Sequence, residues 1–474
     1  MIYVFSKKVS FLYFQLTKKS GTYKMKTILT ILLTCFISSI SFSQFQQYPR
    51  PGEGQFMGGA GMTWINDEPH YTIFLAPELS FANFGVGLDL RLTFDAEGNL
   101  RKETFNDFSD YMSIIRYVRY GLKNDPVFIK LGALDYYTIG HGSIMYLYNN
   151  SPSFDNRKAG LVLDIDFGSF GFESIYSRFA EAGVFGLRGY IRPLHYTSLA
   201  SIPIINNFEV GLTYAGDFDE NAGVTDGFYN PVTNKFETIT DAGSINIIGF
   251  DIGLPVISGS FADVTLYYDF NKIIDFGSGS ATGIIAQFNP LGLVQATAKL
   301  ERRFNGDNYI PSYFNSFYEV ERFRVTNKQT GDFQSKATLL ASLTDNDDGW
   351  YGELGINAIG LVYVIGSYQR LDKTPNSGIL HLGAEIAPEG APFVLRAGYD
   401  KINIKNETDL FTLDDRSYLF TEAGYKPYPF MVVSLVYNWT FTPARDADDN
   451  IVGYEPQKRI EPRVYFVVPF NLGG

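Results

Sequence analysis

From about residue 56 to residue 471, short segments alternate apolar and polar residues, with turn residues between them. Phe84, Val86, Leu88, Leu90, Leu92 and Phe94 interleave with Gly85, Gly87, Asp89, Arg91 and Thr93. Leu161, Leu163, Ile165 and Phe167 stand against Asp164 and Asp166, and Val264, Leu266, Tyr268 and Phe270 against Thr265, Tyr267, Asp269 and Asn271. Successive side chains of a strand point to opposite faces, so each segment has one apolar and one wet face. The array predicts an all-β chain: a single transmembrane antiparallel β-barrel, lipid on its outer face and a polar lumen within.

The connections sort into two sizes. Short ones include Ala82-Asn83, Asn124-Asp125-Pro126, Gly168-Ser169 and Ser258-Gly259; long ones fall near 96–111, 140–158, 218–243, 304–315, 402–415 and 442–459. This asymmetry matches short periplasmic turns and long extracellular loops. The stretch near 194–205 is long for its side. About 22 segments are countable, which brackets the barrel at about 18–22 strands; 56–65, 112–120 and 316–326 are its weakest members. The last strand, about 460–471, is expected to pair with one near 56–65 or 70–80, because unpaired edge amides in lipid cost several kcal/mol each. A soluble sandwich would alternate too, but 32 Tyr and 41 Phe, many near segment ends, suit interfacial girdles.

Mean hydropathy is −0.05, too polar for a helical membrane bundle. The one long apolar run, Thr27 to Phe42, follows Lys26 and closes on Ser41-Phe42-Ser43. It is shorter than the roughly 20 residues of a membrane span and reads as a signal peptide cleaved before Gln44. The expected division is therefore an upstream segment 1–24 ahead of a biological start at Met25, a signal at 25–43, a short segment 44–55, the barrel at 56–471 and a tail at 472–474. Sec-type export would deliver it to the outer membrane of a Gram-negative bacterium. The only cysteine, Cys35, lies inside the signal, which excludes a disulfide framework. Removing 1–43 takes away six lysines and leaves 33 basic against 51 acidic residues, −18. That balance argues against nucleic acid.

The polar faces carry both signs of charge. Asp89, Arg91, Asp164, Asp166, Arg188, Arg192, Glu209, Asp251, Asp269, Lys299, Glu301, Glu385 and Arg396 are expected to line the lumen, since Arg or Lys on the lipid face near the midplane costs roughly 2–4 kcal/mol. They would either set solute selectivity or simply fill a wide interior with salt bridges. The loop 140–158 holds Gly140-His141-Gly142, apolar Ile144-Met145-Tyr146, then Arg157-Lys158. Its centre is too apolar for full solvation, so it is a candidate constriction folded into the lumen, with His141, Arg157 and Lys158 as its polar contacts; the bland alternative is a hydrogen-bonded turn histidine.

Catalytic signatures are weak. The chain has four histidines, no G-x-S-x-G and no H-E-x-x-H, and we expect no enzyme. Asp345-Asn346-Asp347-Asp348-Gly349 lacks EF-hand spacing, so the acidic loops read as solvated tips, with no metal site and no cofactor expected.

Leu131-Gly132-Ala133-Leu134-Asp135 with Gly140-His141-Gly142, and Asp307-Asn308-Tyr309-Ile310-Pro311-Ser312-Tyr313-Phe314, resemble motifs of an uncharacterised porin-like outer-membrane family common in Bacteroidota. The final Arg463-Val464-Tyr465-Phe466-Val467-Val468-Pro469-Phe470 is similar to the closing strand that barrel-insertion machinery reads, although Phe470 is not terminal. TonB-dependent transporters carry a plug domain of more than a hundred residues, for which Gln44 to Gln55 leaves no room. The resemblance implies fold and compartment and names no substrate. The expected function is a porin-like channel for passive passage of small hydrophilic solutes or ions. The alternative is a non-conducting barrel component of a secretion, motility or surface-anchoring complex. Expected partners are outer-membrane lipid and lipopolysaccharide, small polar solutes or ions, and the insertion machinery. The sequence leaves oligomerisation open.

Overall fold

A computed structural model describes residues 53–101, 105, 111–179, 182–202, 205–289, 294–358, 362–386 and 391–471. The expected upstream segment and signal peptide, residues 44–52 and the tail 472–474 lie outside the described residues. Twenty-two strand pieces form one sheet. Glu68–Leu75 and Glu78–Phe81 are two pieces of one stave, as are Phe84–Leu88 and Leu90–Phe94, so the described residues close a barrel of 20 antiparallel staves. Sequence neighbours pair throughout, and the last strand, Ile451–Asn471, closes on the first, Glu53–Ile65. Their register runs from Glu53↔Asn471 to Ile65↔Arg459 and is interrupted only beside Pro462, which has no N–H to donate.

Twenty staves fall within the expected 18–22 and are two fewer than the 22 countable segments. The stretch 316–326 is not a stave. Tyr318, Glu319 and Val320 are consecutively buried in a short helix, Tyr318–Glu321, and Phe323–Asn327 opens a hairpin with Asp332–Ser335 outside the barrel sheet. Burial on all sides breaks the period of two that a stave needs. Residues 56–65 and 115–120 do lie in staves. The long turn near 194–205 holds three 3-10 turns, Pro193–Tyr196, Ser198–Ser201 and Ile205–Asn207.

Alternation has a direct physical reading in the walls. Leu212, Leu266, Leu300, Leu354, Leu395 and Leu435 are exposed on the outer face. Their neighbours Thr213, Tyr267, Glu301 and Val436 are buried on the inner one. Exposed aromatics gather at the end that carries both termini: Phe81, Phe84, Phe167, Phe170, Phe261, Tyr428 and Phe430. A second set, Tyr71, Phe304 and Trp350, lies toward the long-loop end. Two aromatic rows flanking an apolar band are the signature of a membrane-crossing barrel.

The interior is packed. Two long-loop connections fold into the barrel, 133–159 and 306–346. Leu134, Tyr137, Ile139, Ile144, Met145 and Tyr148 of the first meet Tyr309, Tyr313, Phe314 and Tyr318 of the second in one buried cluster, joined by wall residues such as Val162, Ile175, Val184 and Ile247. A bridge runs from Met145 to Phe314, with Tyr146 N–H to Phe314 O at 3.0 Å and Phe314 N–H to Ile144 O at 3.1 Å. Above it, the hairpin Val224–Asn230/Lys235–Asp241 packs Phe236 against Phe323 and Phe333 as a cap.

Candidate functional site

The tip of the first inserted segment is Gly140-His141-Gly142. Gly140 and Gly142 have φ of +54° and +91°, which L side chains rarely adopt. This turn aims His141 at the wall. Its Nδ1 lies 2.8 Å from Asp269 Oδ1 and its ring stacks on Tyr267 at 4.3 Å. Gly140 N–H donates to Glu173 at 2.7 Å, and Lys299 Nζ donates to the His141 carbonyl at 2.5 Å.

Other parts of the same segment reach other sides of the barrel. Tyr137 Oη donates to Asp164 at 2.6 Å. Tyr136 Oη donates to Asp400 at 3.0 Å, and His381 Nδ1 sits 2.8 Å from the other Asp400 oxygen. Thr440 Oγ1 donates to the Pro152 carbonyl at 2.6 Å. Arg157 pairs with Asp89 at 3.0 Å. Asp155 accepts from Arg101, Arg459 and Gln457. Burial pushes the Asp155 carboxyl up, but the neighbouring Arg459 and Arg101 outweigh it and hold it at about 2.

The second segment is fastened by Arg322, whose guanidinium bonds Asp217 at 2.6 Å, Asp219 at 3.1 Å and Glu319 at 3.1 Å. Glu319 also accepts from Lys158 and Tyr148 of the first segment. Burial raises the Glu319 carboxyl, yet Arg322 and Lys158 bring it down to about 2.

The lumen-lining candidates fall into this network as follows. Arg188 bonds Asp251 at 2.9 and 2.6 Å and Glu209 at 2.7 Å. Arg192 pairs with Asp166 and Glu209 nearer the short-turn end. Lys299 and Arg303 flank the fully buried Glu301. Arg91 joins Asp89 to Glu461. Arg396 links Glu385 to Glu422 and is the most exposed of the group. Asp164 receives Lys123 at 2.8 Å.

Sequence reasoning missed Glu319, Arg322, Asp217, Asp155, Asp400 and His381 as members of this network. Only register could have found the pair His381↔Asp400. Asp217 and Arg322 had no signal, being joined only in three dimensions.

Two cavities flank the packed cluster. One, of about 210 Å³, opens toward the short-turn end among Lys130, Asp135, Tyr137, Tyr146, Glu353 and Tyr363. The other, of about 570 Å³, lies toward the long-loop end among Lys158, Asp219, Glu319, Arg322, Arg445 and Asp449. Chemically, the arrangement clamps the two inserted segments to the wall. Ser316 Oγ donates to Asp400 at 3.1 Å, not to His381, so these three do not have the order of a nucleophile, base and acid.

Fold and interior define a transmembrane β-barrel whose lumen is filled by two of its own connections. No family model matches the chain, and no curated protein is similar to it in sequence. Among solved structures, the ferric enterobactin receptor of Pseudomonas aeruginosa has a TM-score of 0.36 and 8% identity, over 90% of this chain and 82% of that one. OccK11 of Pseudomonas aeruginosa gives 0.30 and 9%, over 90% and 100%. Wzi of Escherichia coli, described as a carbohydrate-binding β-barrel involved in group 1 capsule assembly, gives 0.33 and 10%, over 88% and 85%. Likenesses of this size carry no argument about what this chain does.

Proposed function

We propose that the protein is a porin-like outer-membrane channel for small polar solutes or ions, held shut by the inserted segments 133–159 and 306–346 in the conformation seen here. The observation that carries this reading is the buried cluster of Met145, Tyr148, Phe314 and Tyr318 between a cavity on each side. An apolar cluster packed across a lumen excludes water, and passage requires that it part. The mixed charges of the wall support small polar cargo with modest charge preference. The apolar outer band supports the outer membrane as its site, reached by export, with the short turns periplasmic and the long loops outside; lipid and lipopolysaccharide are then its surroundings.

The filled lumen also favours a second reading, a non-conducting barrel that serves a secretion, motility or surface-anchoring complex. Liposome swelling separates the two. Vesicles holding the protein without residues 143–155 should swell in small sugars faster than vesicles holding the full chain. Equal, background-level swelling in both, with each barrel correctly folded, would favour the assembly reading.

A further inference from the structure

We infer that His141, Asp251 and Asp269 form a binding site for a first-row divalent cation of the zinc class, which fastens the tip of the inserted segment 133–159 to the barrel wall. One ligand atom from each residue lies within 4.8 Å of the others. They come from three elements: the inserted tip and the paired strands Ile245–Ser258 and Ala262–Ile273, where Asp251 faces Asp269 in register. Zinc bonds to imidazole nitrogen and carboxylate oxygen are about 2.0–2.2 Å, which sets neighbouring ligands of a tetrahedral ion roughly 3.3 Å apart. The His141 Nδ1 to Asp269 Oδ1 separation of 2.8 Å is within a small adjustment of that.

A second, independent observation points to a missing cation. Asp269 is 1% exposed, and its Oδ2 has no hydrogen-bond partner. A buried carboxylate oxygen left bare is costly. The nearby cations are committed elsewhere: Arg188 to Asp251 and Glu209, and both Lys299 and Arg303 to Glu301. Among the described residues, the ion pair recorded for Asp269 is to His141, which is charged only if protonated. A metal ion held between Nδ1 and the Asp269 carboxylate supplies the positive charge that the bare Oδ2 lacks. Asp251 keeps its bonds to Arg188, since a carboxylate offers about four lone-pair sites, and Arg188 is then the outer hydrogen-bond partner of a metal-bound carboxylate. The Tyr267 ring fixes the plane of the imidazole. Neutral imidazole and two carboxylates are a ligand set that zinc accepts, with a fourth position for water. The inference rests on the fold and not on conduction.

The test uses the full-length folded barrel in detergent, stripped with chelator and titrated with zinc chloride by calorimetry. One equivalent should bind saturably. Asp269→Asn and His141→Gln should each weaken binding tenfold or more, and Asp448→Asn, in a distant acidic loop, should not. Cobalt loaded into the unmodified protein should give the intense visible absorption of a four-coordinate site, a readout that needs no variant. Absence of saturable binding below about 1 mM overturns the inference. So does unchanged affinity in Asp269→Asn, or the pale spectrum of six-coordinate cobalt.

Discussion

Lys158 and Glu319, 161 residues apart, form an ion pair that joins the two inserted segments, and their side chains are only 3% and 1% exposed. The pair ties the end of the first segment to the short helix of the second, with Arg322 completing a bridge to Asp217 on the wall. A charge pair this buried is valuable chiefly because neither partner can be removed alone.

Lys158→Met should therefore loosen the interior by about 3 kcal/mol, read as lost hydrogen-exchange protection at Tyr146 and Tyr148 with the wall amides unchanged. The same contact sets an acid limit. The Glu319 carboxyl is lowered from 4.5 to about 2, and that of Asp155 from 3.8 to about 2. Carboxylates with depressed values stabilise fully above their unfolded values and lose that contribution as pH falls through the folded ones. Protection of the inserted segments should hold from neutral pH to about 4.5 and fall between there and about 2. A loss already complete at pH 5 would contradict the role given to these two carboxylates.

Facing can be tested on one strand. Leu163 pairs on the outer face and Asp164 meets Lys123 and Tyr137 inside. Leu163→Arg should destabilise the barrel by roughly 2–4 kcal/mol if it sits near the midplane. Asp164→Asn keeps an acceptor for Tyr137 and should cost about 1 kcal/mol. Urea unfolding from lipid vesicles gives both numbers, and equal sensitivity would show the register to be wrong.

Much of the barrel was legible because its signal is local. Residues 84–94, 161–167 and 264–270 alternate cleanly, and all but Asp89 and Phe167 lie in staves. The break at Asp89 was not legible: Leu88 donates to Pro77 O and Asp89 to Ile114 O, an irregularity set by neighbouring chains. The stretch 306–346 misled for a related reason. Phe317, Tyr318, Val320 and Phe323 are as apolar as a stave, but they pack against the inner wall at Ile402, Phe441 and Tyr454, other inserted residues and the cap rather than lipid. Periodicity reports one buried side and says nothing about what covers it. Gly140-His141-Gly142 stood out in sequence, while its contacts Asp251 and Asp269 were visible only as inward charges.

Close packing under the inserted tip gives a further test. A Cβ on Gly249 would fall 2.7 Å from Ile144 Cδ1 and 2.5 Å from Asn271 Oδ1. Gly249→Val should push the segment off the wall at a cost of roughly 1–3 kcal/mol. Limited proteolysis should then cut within 140–158 while the barrel stays resistant. Unaltered resistance of that segment would mean the contact is looser than the structure has it.

The central claim is that the chain's own inserted segments close the lumen, and single-channel recording in planar bilayers tests it most directly. The full-length protein should stay closed or open rarely, whereas a chain lacking 143–155, folded and inserted to the same extent, should hold steady openings whose current rises with salt. A full-length protein that conducts steadily, with the same conductance as the deletion, would contradict the account.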